Sequence, residues 1–253
     1  MHHHVDCGEL EQALEQAADL LRRADRVAVL TGAGVSVESG VATFRGPSGL
    51  WEGHRVEDVA TPEAFERAPL MVWRFYNARR NALREVRPNP GHRALAELEN
   101  RWGSDRFAVV TQNIDGLHRA AGSRNVLELH GRLSRVRCIG CGLVEDRPGE
   151  VLPELPRCSE CGELLRPDIV WFGEPLPQDV WLEACTQTAR SACFLVVGTS
   201  AQVYPAAGLI DIAREAGAAV LEFNPEPTAA SGRADVRLAG PSGRMLPELV
   251  RHL

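Results

Sequence analysis

Apolar residues follow two alternating patterns along this chain. Between residues 9 and 24 they recur every three or four positions, which predicts an amphipathic helix. A mostly apolar run at 26–30 predicts a buried strand, and similar runs lie at 107–110, 126–129, 194–197 and 219–223. Helical patterns lie between several of these runs, at 92–101 and 206–216. Strands that alternate with helices predict an α/β fold, in which a parallel sheet carries helices on both faces.

Two segments depart from this alternation. Residues 41–90 form a long stretch with a helical pattern at 70–86, and residues 131–167 are rich in glycine, proline and cysteine. We interpret both as insertions that form a smaller module beside the sheet. The predicted division is a sheet domain (9–40, 91–130 and 171–253), a helical insert (41–90) and a cysteine-bearing module (131–170).

Composition narrows the class of protein. The chain has 253 residues, of which 44% are hydrophobic and 25% charged, which is ordinary for a soluble globular protein. The net charge of −6 argues against nucleic acid as the main partner. No apolar run is long enough to span a bilayer, and the N-terminus has no apolar signal core, so we expect no membrane partner. The histidines at 2–4 are either a shortened tag or a native start.

Four of the seven cysteines have the spacing of metal ligands. They form two Cys-x2-Cys pairs that are sixteen residues apart, and they are Cys138, Cys141, Cys158 and Cys161. Gly142 and Gly162 follow the pairs and allow tight turns around the sulfurs. The pattern predicts one structural zinc with a complete sulfur shell; the alternatives are four buried free cysteines or a redox pair. An odd number of cysteines with such pairs suits a reducing compartment, so we expect a cytoplasmic protein.

A glycine-rich turn follows the predicted strand at 26–30. Gly32 and Gly34 would let backbone amides approach a pyrophosphate group. The third glycine of the dinucleotide-binding fingerprint is absent, because position 37 is valine. No acidic residue ends a second strand about twenty residues later. An ordinary dehydrogenase fingerprint is therefore not supported.

The longer string around this turn, residues 32–46, resembles the NAD-binding signature of the sirtuins. Further strings occur in the order found in that family: TQNIDGLH at 111–118, ELHG at 128–131, VWFGE at 170–174 and GTS at 198–200. The resemblance covers roughly residues 9–250, and the ordered motifs make coincidence a poor explanation. It implies a Rossmann-like domain with a small zinc-binding module, and an enzyme that removes acyl groups from lysine side chains and consumes NAD.

The resemblance also assigns the NAD site. The residues expected to line it are Gly32, Ala33, Gly34, Ser36, Thr43, Phe44, Arg45, Gln112, Asn113, Ile114, Asp115, Gly198, Thr199, Ser200, Asn224, Pro225 and Ser242. Within this set, Asp115 is expected to accept hydrogen bonds from the nicotinamide amide. Asn113 and Asp115 could instead be turn-forming residues.

His130 is the expected general base. Its unperturbed pKa lies near neutrality, which suits proton transfer from a ribose hydroxyl. The alternative is a hydrogen-bonded histidine without a catalytic role, and His118 is interpreted as structural support. The segment Val170, Trp171, Phe172 and Gly173 is expected to pair with the substrate backbone as an added strand.

The helical insert carries a candidate acyl-recognition pair. Tyr76 and Arg79 are three residues apart and can share one helix face, where a phenol and a guanidinium suit a carboxylate. This Tyr-x-x-Arg resembles the sirtuin subgroup that removes succinyl and malonyl groups. Ala60 resembles the small residue that widens the acyl pocket in that subgroup. The alternative is a solvated basic helix face, since Arg74, Arg80 and Arg84 lie nearby.

The expected function is NAD-dependent removal of acetyl and of succinyl or malonyl groups from protein or peptide lysines, by a monomer that holds one zinc. Two other functions stay open. A mono-ADP-ribosyltransferase would use the same cleavage of NAD with a different acceptor, and a non-enzymatic zinc-ribbon protein would only sense NAD.

Overall fold

The computed structural model describes residues 7–42, 50–51 and 54–253. The strands are β1 (Val27–Thr31), β2 (Leu50–Trp51), β3 (His54–Arg55), β4 (Phe107–Thr111), β5 (Val126–Glu128), β6 (Gly131–Cys138), β7 (Val144–Asp146), β8 (Leu165–Ile169), β9 (Cys193–Val197), β10 (Ala219–Phe223) and β11 (Val236–Leu238). The α-helices are α1 (Cys7–Arg23), α2 (Val56–Val59), α3 (Pro62–Arg67), α4 (Pro69–Leu83), α5 (Pro90–Trp102), α6 (Leu117–Ala120), α7 (Gln178–Ala189), α8 (Leu209–Glu215) and α9 (Ser242–Arg251).

Six parallel strands form the main sheet, in the order β11-β10-β9-β1-β4-β5. The three strands at its centre are buried along their whole length, as expected for a parallel sheet that is covered on both faces. β1 pairs with β4 on one side and β9 on the other, so that Thr31 lies beside Thr111 and Val197. The strand order reverses at β1, because β4 lies on one side of it and β9 on the other. Ligands of such sheets bind at the carboxyl ends of the strands next to this reversal.

Alternate residues of the central strands face two separate cores. On one face, Val29, Val109 and Leu195 pack in a cluster with residues of α1, α5 and α9. On the other, Leu30 and Val196 pack with residues of α7 and α8. The side chains of a strand point alternately to the two faces, so the continuous apolar runs of the sequence serve both cores. The predicted α/β fold is confirmed.

A smaller module lies beside the sheet. It joins α2, α3 and α4 to a three-stranded antiparallel sheet in the order β7-β6-β8, around a core of its own. α4 donates hydrogen bonds to main-chain carbonyls of the cysteine-bearing segment: Trp73 Nε1 to Leu165 O at 2.8 Å and Arg80 Nη1 to Leu133 O at 2.5 Å. The segment boundaries predicted from the sequence stay a prediction.

Element ends differ slightly from the predicted ones. The predicted helix at 70–86 ends at Leu83, and the chain is a turn at residues 84–85 before it reaches Pro88. The predicted helix at 206–216 begins as a 3-10 turn, Ala206–Gly208, and continues as α8. Among the described residues, no helix has the length and apolar composition needed to cross a membrane.

Candidate active site

The loops that follow β1 and β9 pack backbone against backbone. Gly34 N donates to Gly198 O at 2.7 Å, and a Cβ on Gly34 would lie 2.6 Å from the same oxygen. Gly198 has φ +58°, and a Cβ there would lie 2.3 Å from Val35 N. Residues with side chains do not fit at either position. The Gly34 amide is therefore bonded within the protein. This glycine is needed for the packing of the two loops, in addition to any close approach of a ligand to the backbone.

Hydrogen bonds join several of the predicted NAD residues. Gln112 Nε2 donates to Thr199 Oγ1 at 3.0 Å, and Asn224 Nδ2 donates to Thr199 O at 2.8 Å. Asn113 Nδ2 donates to Gly32 O at 3.1 Å and to Ser36 Oγ at 3.2 Å. The loops after β1, β4, β9 and β10 thus meet at one edge of the sheet, which is where the fold predicts a ligand site.

The other predicted NAD residues vary in their surroundings. Ser242 is buried at the start of α9, Ile114 packs against the smaller module's core, and Ala33 and Pro225 are exposed. Ser200 is half-buried in the loop after β9. Thr43, Phe44 and Arg45 lie outside the described residues.

Asp115 is half-buried, and both of its carboxylate oxygens accept hydrogen bonds. Ser36 Oγ donates to Oδ2 at 2.7 Å, and Leu117 N donates to Oδ1 at 2.9 Å. Burial raises the pKa of this carboxyl, and the two hydrogen bonds and the Arg79 charge oppose that effect. Its orientation is therefore fixed by the protein, as required of a group that must present a lone pair to a ligand.

His92 continues this hydrogen-bond chain, and the sequence reasoning did not include it in the site. Asn89 N donates to His92 Nδ1 at 3.4 Å, so Nε2 carries the proton and faces Ser36 Oγ at 3.4 Å. Ser36 then donates to Asp115. The available signal was Asn89-Pro90-Gly91-His92, a capping box in which a histidine replaces the usual Glu or Gln at the third position.

His92 and His118 form a buried pair of rings with centroids 4.9 Å apart. His118 Nε2 lies 2.9 Å from Thr31 Oγ1, which donates to Thr111 Oγ1 at 2.8 Å. Burial lowers the pKa of His92 to about 4 and that of His118 to about 3, from an ordinary value of 6.5. Both rings are therefore neutral at physiological pH. His118 lies beneath the site between two strand ends.

We expect acid to destabilise the fold through this pair. Both histidines titrate near 6.5 when unfolded, so between pH 6.5 and 4 the unfolded state binds more protons and stability falls as pH falls. Each histidine should contribute about 1.4 kcal/mol of lost stability per pH unit in that window. Urea unfolding at several pH values measures this slope. His118→Gln should give a shallower slope than the parent, and equal slopes would contradict the account.

His130 follows β5 and directly precedes β6. Its Nδ1 lies 2.8 Å from Gln112 O. A carbonyl only accepts, so Nδ1 carries the proton and Nε2 carries the lone pair. Burial lowers the pKa of the ring below 6.5, with the Gln112 bond opposing. The imidazole is therefore a neutral base with a fixed orientation at neutral pH.

The segment 170–173 is tied to His130 and to Ala60 through its amides. Val170 N donates to His130 O at 3.0 Å, Phe172 N donates to Ala60 O at 3.0 Å, and Trp171 N donates to Glu174 Oε2 at 2.8 Å. Phe172 and Gly173 are exposed, whereas the Trp171 side chain points into the smaller module's core. The amides of Val170, Trp171 and Phe172 are therefore already bonded within the protein.

The predicted acyl-recognition residues are buried together. Ala60, Tyr76 and Trp171 belong to one core cluster, and Arg79 is 9% exposed. Burial raises the pKa of the Tyr76 phenol, with Arg79 among the charges that oppose it. The alternative of a solvated basic face is wrong for Arg79 and for Arg80, since both are buried. It holds for Arg74, which makes an exposed ion pair with Glu154 at 2.7 Å.

The four predicted zinc ligands converge. Cys138 Sγ lies 3.4 Å from Cys161 Sγ, and Cys141 Sγ lies 3.7 Å from Cys158 Sγ, with all four sulfurs within 4.8 Å of one another. Tetrahedral zinc with Zn–S bonds of about 2.3 Å needs sulfurs about 3.8 Å apart. The amides of Gly140 and Cys141 lie 3.4 Å from Cys138 Sγ, and Gly142 and Gly162 take matching positive φ angles of +76° and +78°. The residues fit a closed Zn–S4 site.

Comparison with known proteins agrees with this geometry. The domain described as the Sir2 family matches residues 32–205. The NAD-dependent protein deacylase 2 of Pyrobaculum aerophilum is 54% identical over 238 residues, which are 93% of this chain and 94% of that protein. The chain therefore belongs to the Sir2 family, and the predicted sirtuin resemblance is confirmed.

Solved structures give the same result. A Sir2 homologue in complex with NAD has a TM-score of 0.85 and 43% identity, covering 100% of this chain and 96% of that one. A Sir2 protein bound to a myristoylated histone peptide has a TM-score of 0.76 and 37% identity, covering 96% of each chain.

Proposed function

We propose that this chain is an NAD-dependent protein-lysine deacylase. The observation that carries the proposal is His130: its Nδ1 is bound to Gln112 O, and its carbonyl accepts from Val170 N. The base is thus held between the loop of the predicted nicotinamide residues and the segment predicted to bind the substrate. The deacylase name of the Pyrobaculum relative and the NAD-bound homologue support the same function.

The proposed reaction divides the work between NAD and two groups of residues. NAD would supply a ribose carbon that the lysine amide oxygen attacks as nicotinamide leaves. Asp115, oriented by Ser36 and the Leu117 amide, would accept hydrogen bonds from the nicotinamide amide. His130 Nε2 would take a proton from a ribose hydroxyl. That hydroxyl would then attack the former amide carbon, and one water would be consumed as the C–N bond to the lysine breaks. The expected products are free lysine, nicotinamide and O-acyl-ADP-ribose.

The test of this function is an NAD-dependent mass loss on acyl-lysine peptides. Acetyl and succinyl peptides are incubated with the protein, with and without NAD, and followed by mass spectrometry. Loss of the acyl mass only with NAD is the expected result. Transfer of ADP-ribose onto protein without acyl loss would indicate the mono-ADP-ribosyltransferase instead. If neither acyl loss nor transfer occurs, the remaining function is the non-enzymatic NAD sensor.

We further propose that the acyl pocket accepts acids. Tyr76 and Arg79 lie one helical turn apart and are buried, and the Arg79 charge acts on both Tyr76 and Asp115. A buried guanidinium beside a phenol favours a carboxylate at the end of the acyl chain. We therefore expect desuccinylation and demalonylation as well as deacetylation.

Arg79→Met should reduce kcat/KM for a succinyl peptide much more than for an acetyl peptide. Loss of a buried, charge-assisted contact is worth about 2–5 kcal/mol, which is about 30-fold or more. Arg84→Met, an exposed arginine just after the same helix, is the matched control and should change neither rate. Equal loss of both activities in Arg79→Met would remove this residue from acyl recognition.

The substrates, the zinc, the oligomeric state and the compartment are also part of this proposal. The substrates would be acylated protein or peptide lysines, in line with the peptide complex of the Sir2 neighbour. The zinc would be structural, the chain a monomer, and the compartment the reducing cytoplasm, where thiolate ligands stay reduced.

A further inference from the structure

Trp171 belongs to the candidate substrate segment 170–173, and its side chain lies in the core of the smaller module. Its side chain is 3% exposed and packs against Phe65, with ring centroids 5.3 Å apart. Its indole Nε1 donates to the Tyr76 hydroxyl oxygen at 3.0 Å. The single polar atom of this indole therefore binds the phenol that we assign to acyl recognition.

Arg166 and Glu174 hold Trp171 in place. The Arg166 guanidinium carbon lies 3.6 Å from the centroid of the Trp171 ring, which is close stacking. The same guanidinium donates to both oxygens of Glu174, at 2.6 and 2.7 Å. Glu174 Oε2 accepts the Trp171 amide at 2.8 Å, so ring and backbone are fixed by one closed set of contacts.

This arrangement determines the direction of the Tyr76 hydroxyl. A hydroxyl oxygen that accepts a hydrogen bond from one side directs its own proton away from that donor. The donor here is rigid, and Tyr76 itself is fully buried on α4. The direction in which Tyr76 can donate is therefore set by Trp171 and not by the phenol alone.

We propose that Trp171 is a positioning residue for acyl selectivity: its indole N–H orients the Tyr76 hydroxyl and so favours acyl groups that end in a carboxylate. The inference rests on the proposed deacylase function and on Tyr76 as part of the acyl pocket. Trp171 touches neither the reacting atoms nor the acyl group in this role and acts through Tyr76.

The test is Trp171→Phe, which keeps an aromatic ring and removes the N–H. We expect kcat/KM for a succinyl peptide to fall about three- to tenfold, the range of one net hydrogen bond, mainly through a higher KM. Deacetylation should fall by a smaller factor, because an acetyl group has no carboxylate for the Tyr76 hydroxyl to bind, so the succinyl-to-acetyl ratio should drop. In a Tyr76→Phe background, Trp171→Phe should produce no further change in the succinyl-to-acetyl ratio, because the oxygen through which it acts is gone.

Trp73→Phe is the matched control. Trp73 is also a buried tryptophan of the module, and its Nε1 donates to Leu165 O at 2.8 Å and not to the Tyr76 hydroxyl. It should lower stability without changing the succinyl-to-acetyl ratio. If Trp171→Phe does not fold, Arg166→Lys gives a second route, because it keeps a cation for Glu174 but loses the flat stacking on the indole. It should shift the ratio in the same direction by a smaller factor.

The outcomes separate this inference from the function on which it rests. A parent protein that deacetylates but does not desuccinylate overturns the acid-accepting pocket and the role of Trp171 together. If the parent desuccinylates and Arg79→Met does not, but Trp171→Phe keeps the parent succinyl-to-acetyl ratio, only the inference about Trp171 is overturned. An unchanged ratio in Arg166→Lys does the same if Trp171→Phe does not fold.

Discussion

His130→Asn should reduce NAD-dependent deacylation by about 10²- to 10⁴-fold, the contribution of a general base. The asparagine amide can still donate toward Gln112 O, as Nδ1 does now at 2.8 Å. It has no basic nitrogen in the place of Nε2. The expected loss is therefore in turnover and not in folding. Steady-state rates on an acyl peptide and the melting temperature of the variant measure the two effects separately.

A control variant and the pH profile of activity test the role of His130 in two further ways. His252→Asn changes a histidine near the end of the chain, where Nε2 contacts Glu11 at 3.0 Å, and it should leave turnover unchanged. Since burial lowers the pKa of His130, parent activity should fall only when the pH drops below the usual histidine range. A His130→Asn enzyme with substantial turnover would remove this residue from the role of base.

Loss of one zinc ligand, in Cys158→Ala, should abolish activity by unfolding the module. Structural zinc contributes about 10–16 kcal/mol to small zinc domains, as much as the whole stability of many proteins. β6 starts at Gly131, next to His130, and ends at Cys138, so its displacement would move the base. β8 leads into the segment 170–173. Zinc content, activity and thermal unfolding of the purified variant are the measurements.

Loss of a zinc ligand should also disturb the acyl pocket. α4 is bound to the zinc-bearing segment through Trp73 and Arg80, and the same helix carries Tyr76 and Arg79. Cys185→Ala is the matched control, because this cysteine lies on α7 and outside the sulfur cluster. It should retain zinc and activity. A chelated protein verified to be free of zinc, yet folded and fully active, would contradict the structural role.

The sheet was predictable because its strands are buried on both faces. Strands such as β1 and β9 are unbroken apolar runs between helical patterns, and this sequence signal is strong. Helix ends were less predictable: the pattern of α4 continues past Leu83, where the chain turns toward Pro88. The zinc site was predictable from spacing alone, because two Cys-x2-Cys turns with glycines leave few other arrangements.

The parts of the site that the sequence did not reveal depend on contacts between distant segments. Tyr76 and Trp171 are 95 positions apart, so no local pattern indicates their hydrogen bond. The bond from the Gly34 amide to Gly198 O likewise joins two loops that only the sheet brings together. His92 was predicted only as part of a helix, because burial next to Ser36 cannot be deduced from periodicity.

The most direct test of deacylase function is the stoichiometry of one reaction. The protein is incubated with NAD and an acyl-lysine peptide, and nicotinamide and deacylated peptide are quantified together over time. We predict that nicotinamide and deacylated peptide appear in equal amounts, and that neither product appears when NAD or the acyl peptide is left out. Deacylation without NAD, or nicotinamide release without loss of the acyl group, would contradict the account.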